Sequence, residues 1–246
     1  MQPGDSFDLS TRNVHVWTLR TNASSNVIAR FEKVLAPDER SRAAQFHVSR
    51  PRESFILTRA VLRHLLGRYL GLHPGNICLH YGMNGKPLLL HKSELMFNVS
   101  HSGEIAAIAL TQGCDVGIDL EQFRPLPDLK EIAAHSFCNE EATEIDSLPA
   151  CDRQHAFFSC WTRKEAYVKA IGVGLSTPLS AFRVTVRPNE PAKLLFLDKA
   201  KNASESWTLH DLALGPDYVG TVTYRDRQRS LSIFPTTDSE QFFNIL

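Results

Sequence analysis

The stretch that decides the fold is residues 116–121, Val-Gly-Ile-Asp-Leu-Glu, in which apolar and other side chains alternate strictly. This period of two predicts a β-strand with its apolar residues on one side and its two carboxylates, Asp119 and Glu121, on the other. An isolated Asp-x-Glu pair most often marks a solvated face of a sheet. Two neighbouring carboxylates repel each other, however, and a bound cation is a common way to relieve that repulsion.

A second segment, residues 157–169 (FFSCWTRKEAYVK), strengthens the metal interpretation. Trp161, Glu165 and Lys169 recur every four residues and therefore share one face of a predicted helix. An exposed Glu–Lys pair would contribute only a few tenths of a kcal/mol. The surrounding residues are large and apolar, so we expect the helix to be buried and its charged side chains to have partners.

Asp119, Glu121 and Glu165 together offer hard oxygen ligands, which suit Mg²⁺ better than zinc. Mg²⁺ in proteins commonly binds a few carboxylates together with substrate phosphates and water. Lys169 would lie one helical turn from the metal, where its charge can neutralise a phosphoryl or diphosphate leaving group. The two segments therefore predict a phosphate-handling Mg²⁺ site.

Residues 97–103, Phe-Asn-Val-Ser-His-Ser-Gly, predict a strand that runs into a polar Ser-His-Ser-Gly turn. Hydroxyls, backbone N–H groups and the His101 imidazole of such a turn can hold phosphate oxygens. Alternatively, His101 only caps the turn. A Ser–His hydrolase is disfavoured, because adjacent residues on an extended chain point apart and the sequence has no G-x-S-x-G elbow.

The order of predicted elements is strand, helices, then several strands, and it occurs twice along the chain. This order predicts an α+β architecture of two similar subdomains, residues 1–112 and 113–246, divided near Gln112 to Cys114. Because no residue-level repeat is evident, the duplication is a hypothesis based on element order alone. Within the first half, Asn84-Gly85 predicts a tight turn between strands at residues 77–81 and 95–99.

Composition narrows the function classes. Lys and Arg total 27, Asp and Glu total 27, and the formal net charge is zero. This balance disfavours nucleic acid as a partner, since such proteins usually carry a basic excess. The five cysteines form no CxxC pair, which predicts reduced thiols in a cytoplasmic protein rather than a zinc site or disulfides. The polar first residues and short apolar runs predict neither a signal peptide nor a membrane span.

With these segments in view, the chain resembles the surfactin-type 4′-phosphopantetheinyl transferases. The matching motifs are residues 117–121, residues 161–169 followed by Gly172-x-Gly174-Leu175, residues 84–87 (Asn-Gly-Lys-Pro) and residues 98–102 (Asn-Val-Ser-His-Ser). Their order and intervals agree from about Pro37 to Phe182. Each motif alone is weak, and the long joint pattern is specific.

The resemblance implies a pseudo-dimer of two similar α/β subdomains with the active site in the cleft between them. The N-terminal subdomain would bind the nucleotide of coenzyme A, and the C-terminal subdomain would supply the Mg²⁺ ligands and the catalytic helix. The phosphopantetheine arm would pass to a serine of an apo acyl, peptidyl or aryl carrier protein, releasing 3′,5′-adenosine bisphosphate. The resemblance also leads us to expect a monomer.

The same resemblance implies roles for individual residues. Glu165 would be the general base, acting directly or through water, in addition to binding Mg²⁺ with Asp119 and Glu121. Lys169 and His101 would hold the diphosphate, and Lys169 would protonate the leaving group. The remaining coenzyme A contacts would be Arg42 at the 3′-phosphate, Ser100 at the nucleotide, and Met83, Asn84, Gly85 and Lys86 around the adenine.

Two acidic residues depart from or extend this pattern. Glu39 stands where some members of the family carry a basic residue, which removes one expected 3′-phosphate contact. Glu141 occupies a position where the family often has an acidic residue, and we expect it near the metal.

Carrier docking is expected along residues 123–129.

Two other functions fit part of the pattern. A metal-dependent nuclease would also use an acidic pair with a following Glu and Lys, but it needs a basic groove that the balanced charge disfavours. A non-catalytic module binding coenzyme A or carrier proteins is disfavoured because the acidic residues and Lys169 are all intact.

Overall fold

A computed structural model describes residues 9–82, 85–172, 177–187, 189–197, 203–238 and 242. The elements of the first half are β1 (Asn13–Arg20), α1 (Ser25–Glu32), α2 (Pro37–Ala44), α3 (Ser49–Leu70), β2 (Leu79–Tyr81), β3 (Pro87–Leu89), β4 (Leu95–Ser102) and β5 (Ile105–Gln112). Those of the second half are β6 (Val116–Gln122), α4 (Leu129–Ser136), α5 (Asn139–Ser147), α6 (Ala150–Ile171), β7 (Phe182–Val184), β8 (Leu194–Leu197), β9 (Trp207–Asp211), β10 (Tyr218–Arg225) and β11 (Ser230–Thr237).

The two halves have the same topology. In the first, β1 pairs with β5 and β5 with β4; in the second, β6 pairs with β10 and β10 with β9, all antiparallel. Each half also contains a small hairpin, β2–β3 or β7–β8, between its helices and its last two strands. The predicted α+β fold of two similar subdomains is confirmed, and the duplication inferred from element order is visible in the strand pairing.

Alternation along the strands divides the core into layers. Odd-numbered apolar residues of β5 and even-numbered ones of β1, β6 and β10 form one cluster between the two sheets. The opposite face of the first sheet packs on α1 and α3, and that of the second on α6. The carboxylates of β6 therefore face α6, because the apolar side chains of the same strand fill the layer between the sheets.

The last strand, β11, pairs in parallel with β1 and so belongs to the sheet of the first half. Phe242 is also fully buried in the core around α3. The end of the chain is thus spatially part of the first subdomain, although the predicted boundary assigns residues 113–246 to the second. The reason is that β1 has a free edge opposite β5, and backbone N–H and C=O groups on that edge need partners.

Two local predictions are wrong. The turn at Gly85 joins β2 to β3 rather than to β4, since the short strand Pro87–Leu89 lies in between. The Ser-His-Ser sequence is not a turn, because β4 continues through Ser102 and the reversal is at Gly103, whose φ is +56°. No helix in the described part of the chain is long and apolar enough to cross a membrane.

Candidate active site

The site is built where α6 lies directly against β6, and Gly117 permits this approach. A Cβ atom on Gly117 would lie 2.0 Å from the carbonyl oxygen of Ala166 and 2.4 Å from the amide nitrogen of Ala170. Contacts of that length cannot form, so only glycine fits here. The sequence motif contains Gly117, but nothing local to the sequence shows that a helix backbone would cover it.

Lys169 joins the helix to the acidic strand. Its Nζ atom donates to Oδ1 of Asp119 at 2.6 Å, to Oγ of Ser100 at 3.1 Å and to the carbonyl of Ile118 at 3.3 Å. Ser100 Oγ in turn donates to the same Asp119 oxygen at 2.9 Å. Asp119 is only 6% exposed, whereas the Lys169 side chain is 29% exposed. The ammonium group therefore bridges a buried carboxylate and the accessible face of the site.

Polar side chains of β4 connect the two sheets next to the site. Asn98 Oδ1 accepts from the Ile118 amide at 2.9 Å, and Ser102 Oγ donates to Glu121 Oε2 at 3.0 Å. Asn98, Ser100 and Ser102 occupy every second position of β4 and therefore face β6 together. This shared face requires the Ser-His-Ser sequence to be an extended strand. Glu121 also accepts from the exposed Arg124 at 2.7 Å. The role of Asn98 was not predicted, because its partner is a backbone amide 20 residues away.

Glu165 lies half-buried on the face of α6 that carries Lys169. Desolvation by burial raises its pKa, the charges of Asp119 and Glu121 raise it further, and Lys169 opposes the shift. Burial likewise raises the pKa of Asp119 against the opposing effect of Lys169. The structure therefore brings the three predicted carboxylates into one mutually repelling group.

The donor set fits a hard divalent cation. Oδ2 of Asp119 is buried and has no hydrogen-bond partner, which is costly for a carboxylate oxygen unless a ligand completes it. As arranged, no three His, Cys, Asp or Glu side chains of the described residues are close enough together to hold a metal ion. Glu121 is instead engaged with Ser102 and Arg124. The side chains would therefore have to rotate before all three carboxylates could bind one ion.

His101 lies on the face of β4 opposite Ser100, and it is exposed. Desolvation by neighbouring protein atoms lowers the pKa of its imidazole, and the charge of Lys169 lowers it further. Asp119 and Glu121 act in the opposite direction, so the ring lies within electrostatic reach of both carboxylates of β6.

Lys86 belongs to the same neighbourhood. Its Nζ donates to the backbone carbonyl of Lys169 at 2.7 Å, although 83 residues separate the two lysines. Desolvation lowers the pKa of Lys86, Asp115 raises it, and Lys169 lowers it again. Gly85, with φ +71°, makes the preceding turn possible. The other predicted contacts in this loop, Met83 and Asn84, lie outside the described residues, as do Gly174 and Leu175.

Arg42 is exposed on α2, beside two aromatic rings. Its guanidinium carbon lies 5.5 Å from the ring centroid of Phe55 and 5.9 Å from that of Tyr81. Tyr81 is the cross-strand neighbour of Pro87, the residue after Lys86. The hairpin β2–β3 thus links the surroundings of Arg42 to those of Lys169.

The expectation that Glu141 lies near the metal is wrong. Glu141 is fully buried in the second subdomain, where its Oε2 pairs with Lys164 Nζ at 2.7 Å. Its other oxygen accepts from the Val184 amide at 2.7 Å, and Oε2 also accepts from the Cys138 amide at 3.1 Å. Glu141 therefore ties α5 to α6 and β7, on the side of α6 away from Asp119.

Replacing Glu141 with Gln should destabilise the protein by about 3 kcal/mol, because it leaves the Lys164 charge buried without its partner. Chemical denaturation would measure this loss. The exposed neighbour Glu140, changed to Gln, is the control and should alter stability by less than about 0.5 kcal/mol. The activity of the folded Glu141→Gln fraction should stay unchanged; a selective loss of activity at unchanged stability would instead return Glu141 to the catalytic site.

Comparison with known proteins adds the family context. Residues 115–223 match the model of the 4′-phosphopantetheinyl transferase superfamily, and residues 21–113 match that of a 4′-phosphopantetheinyl transferase N-terminal domain. The chain is 35% identical to the 4′-phosphopantetheinyl transferase HetI of Nostoc sp. over 88% of its own length and 90% of that protein. It is 30% identical to psf-1 of Bacillus pumilus, with coverage of 65% and 68%, and 28% identical to Sfp of Bacillus subtilis, with coverage of 79% and 88%.

Proposed function

Because this chain belongs to the 4′-phosphopantetheinyl transferase superfamily, we propose that it moves the 4′-phosphopantetheine arm of coenzyme A to a serine of an apo carrier protein. The by-product would be 3′,5′-adenosine bisphosphate. The observation that carries this proposal is the Lys169–Asp119 ion pair of 2.6 Å beside Glu165, a carboxylate whose pKa is raised by burial. A cation and acidic groups at one point suit the transfer of a phosphoryl group between oxygen atoms.

Asp119, Glu121 and Glu165 would hold Mg²⁺, and the unpartnered Oδ2 of Asp119 supports its place among the ligands. When bound, the ion would supply charge neutralisation at the diphosphate. Ser100 fixes the orientation of Asp119 through its hydrogen bond, as partners of metal ligands commonly do. This hydroxyl points at Asp119 and Lys169, so we assign it to the diphosphate end of the nucleotide.

The protein side chains would perform the proton transfers. Glu165, whose raised pKa makes it a better base than an ordinary carboxylate, would accept the proton of the carrier serine. Lys169 would stabilise the diphosphate and give a proton to the leaving oxygen, since its side chain reaches the accessible face. His101 and Lys86 would add contacts to the diphosphate and nucleotide, with Arg42 at the 3′-phosphate and Gly85, Met83 and Asn84 near the adenine.

Two further aspects of the proposal concern the setting of the reaction. All five cysteines are free thiols, which favours a reducing compartment such as the cytoplasm. We expect a monomer, because the duplicated topology already places two similar subdomains side by side. The segment before α4, residues 123–129, remains our proposed docking region for the carrier.

The direct test mixes the protein with coenzyme A, MgCl₂ and a panel of purified apo carriers of the acyl, peptidyl and aryl types. Mass spectrometry should detect one added phosphopantetheine on at least one carrier, and none after chelation with EDTA. The carrier with its acceptor serine changed to alanine is the matched control. Absence of a shift on every carrier, with the protein shown to be folded, would overturn the proposal.

A nuclease would behave differently in two measurements. It should be retained on heparin at moderate salt and should degrade nucleic acid with Mg²⁺. The net charge of zero leads us to expect neither result.

A further inference from the structure

Ser102 ends β4, and neither the resemblance nor the proposed reaction gives it a role. Its hydroxyl donates to Oε2 of Glu121 at 3.0 Å and accepts from the backbone amide of Gln122 at 3.1 Å. A serine hydroxyl has a single hydrogen, so the donor is used on the carboxylate while the amide fixes the oxygen atom. The strand that carries the acidic residues therefore holds this hydroxyl in one orientation.

The turn after Ser102 is fastened to the second subdomain. Gly103 lies beneath the side chains of Gln122 and Tyr218, since a Cβ atom there would be 2.2 Å from Gln122 Oε1 and 2.6 Å from the Tyr218 hydroxyl. That hydroxyl accepts from the Glu104 amide at 3.0 Å, and Tyr218 and Gln122 are cross-strand partners on β10 and β6. These contacts restrain the end of β4 and make the Ser102 hydroxyl a fixed point for the carboxylate it contacts.

Glu121 is left with one oxygen for a ligand. Both hydrogen bonds that the described part of the chain gives its carboxylate, from Ser102 and from Arg124 Nη1 at 2.7 Å, go to Oε2. Asp119 shows the same division, because Oδ1 accepts from Ser100 whereas Oδ2 is buried and has no hydrogen-bond partner. Each carboxylate of β6 thus has one oxygen held by a serine of β4 and one oxygen open to a cation.

Of the two donors to Glu121, Ser102 is the one suited to a metal-bound state. The Arg124 side chain is 55% exposed, and exposed ion pairs contribute little to stability. A cation bound to Glu121 would also repel the guanidinium group, whereas a neutral hydroxyl meets no such repulsion. Ser102 is therefore the donor that can stay on Oε2 when an ion binds to Oε1.

Glu165 is the carboxylate that can adjust. Its pKa responds to desolvation and to the charges of Asp119, Glu121 and Lys169, and no described side chain adds a hydrogen bond to it. It can turn on α6 without breaking such a bond. The rotation needed to bring three carboxylates to one ion can therefore fall on Glu165 while the two carboxylates of β6 keep their positions.

A carboxylate with one open oxygen suits one class of cation. Ca²⁺ takes about six to eight oxygen ligands and readily binds both oxygens of a carboxylate, whereas the smaller Mg²⁺ needs near-octahedral geometry and keeps several waters. Mn²⁺ also accepts octahedral sites of carboxylate and water. Because Ser102 occupies Oε2, Glu121 cannot offer both of its oxygens, and the arrangement that favours Ca²⁺ is removed.

We propose that Ser102 is a positioning residue that holds Glu121 as a one-oxygen metal ligand and thereby makes the site select Mg²⁺ over Ca²⁺. This inference rests on the proposed function, because it takes Glu121 as a ligand of Mg²⁺. The selecting residue belongs to the first subdomain, whereas the ligand it positions belongs to the second.

The test measures metal binding without catalysis. Mn²⁺ is titrated into the protein, alone and saturated with coenzyme A, and the paramagnetic resonance signal reports the free ion. Ser102→Ala should bind Mn²⁺ at least 10-fold more weakly, since losing a partner of a metal ligand typically costs about 10- to 100-fold in affinity. Competition then gives the concentrations of Mg²⁺ and Ca²⁺ that release half of the bound Mn²⁺. The wild type should need less Mg²⁺ than Ca²⁺, and Ser102→Ala should narrow that difference.

Three further variants separate the hydroxyl from packing, each with its fold checked by thermal denaturation. Ser102→Cys has nearly the same shape but a poor hydrogen-bond donor, so it should behave like Ser102→Ala and replaces it if the alanine variant does not fold. Ser102→Thr keeps the hydroxyl and should restore most of the affinity and of the preference. Ser93→Ala is the matched control: this exposed serine before β4 also accepts a backbone amide, that of Leu95 at 3.0 Å, and its loss should leave Mn²⁺ binding unchanged.

A folded Ser102→Ala or Ser102→Cys protein with wild-type Mn²⁺ affinity would overturn the inference. An equal loss of affinity for all three ions would do the same, as would a wild type that prefers Ca²⁺. A wild type that modifies a carrier but binds no Mn²⁺ in either condition would overturn this inference alone. A protein that shows the expected metal effects but modifies no carrier would instead overturn the proposed function and leave the role of Ser102 standing.

Discussion

Changing Glu165 to Gln is expected to lower the rate of phosphopantetheine transfer about 1000-fold, a typical loss for removal of a general base. Gln has nearly the same volume and can still accept hydrogen bonds, but it cannot take up the serine proton. Gln fills the same half-buried position whose burial raises the pKa of Glu165, so the fold should be preserved. Single-turnover transfer to an apo carrier, with coenzyme A saturating, is the appropriate measurement.

Two roles of Glu165 can be separated in the same experiment. If Glu165 acted only as a metal ligand, a high Mg²⁺ concentration would restore the rate of Glu165→Gln. If Glu165 acts as the base, a high Mg²⁺ concentration should leave most of the loss in place. Glu131→Gln, an exposed change on α4, is the control and should transfer at the wild-type rate. If Glu165→Gln transferred phosphopantetheine at the wild-type rate, Glu165 would have no role in the reaction.

Replacing Gly117 with Ala should have the largest structural effect of any single added methyl group near the site. The new Cβ would fall 2.0 Å from a backbone oxygen of α6, so β6 and the helix would have to separate. We expect a stability loss of more than about 3 kcal/mol, at the upper end of the usual range for overpacking. In the fraction that still folds, transfer should fall about 100-fold or more, because a displacement of about 1 Å of Glu165 and Lys169 suffices for such a loss.

Thermal denaturation and transfer kinetics of Gly117→Ala test this expectation together. Gly82→Ala is the matched control for stability, since a Cβ there would meet its nearest neighbours at 3.7 and 3.8 Å. Its melting temperature should stay close to that of the wild type. A Gly117→Ala protein that is as stable and active as the wild type would mean that α6 does not lie where the structure places it.

Much of the fold could be predicted from local patterns. The alternation in residues 116–121 correctly gave a strand with Asp119 and Glu121 on its polar side, and the four-residue spacing placed Glu165 and Lys169 on one face of a helix. Both patterns depend only on the geometry of the backbone in a strand or helix, which repeats every two or 3.6 residues. The duplicated order of elements could also be predicted, because strand-like and helix-like periodicities follow one another in the same order in both halves of the sequence.

The errors concern residues whose partners are distant in the sequence. Glu141 was expected near the metal, yet it pairs with Lys164 inside the core of the second subdomain, just as Glu39 pairs with Arg63 inside the first. A carboxylate can bind a metal, cap a helix or neutralise a buried cation, and its identity does not distinguish these roles. The distinction comes from burial, which is set by elements that pack from elsewhere in the chain.

The sequence by itself thus determined the acidic strand, the helix with Glu165 and Lys169, and the chemistry these side chains can support. The tertiary structure decided three other features: the addition of β11 to the first sheet, the polar contacts from β4 to β6, and the burial of Arg59 with an Nη1 atom that lacks a hydrogen bond. The physical reason is that periodicity is a property of neighbouring residues. Edge pairing, close backbone contact and the desolvation of a charge arise only when distant segments meet.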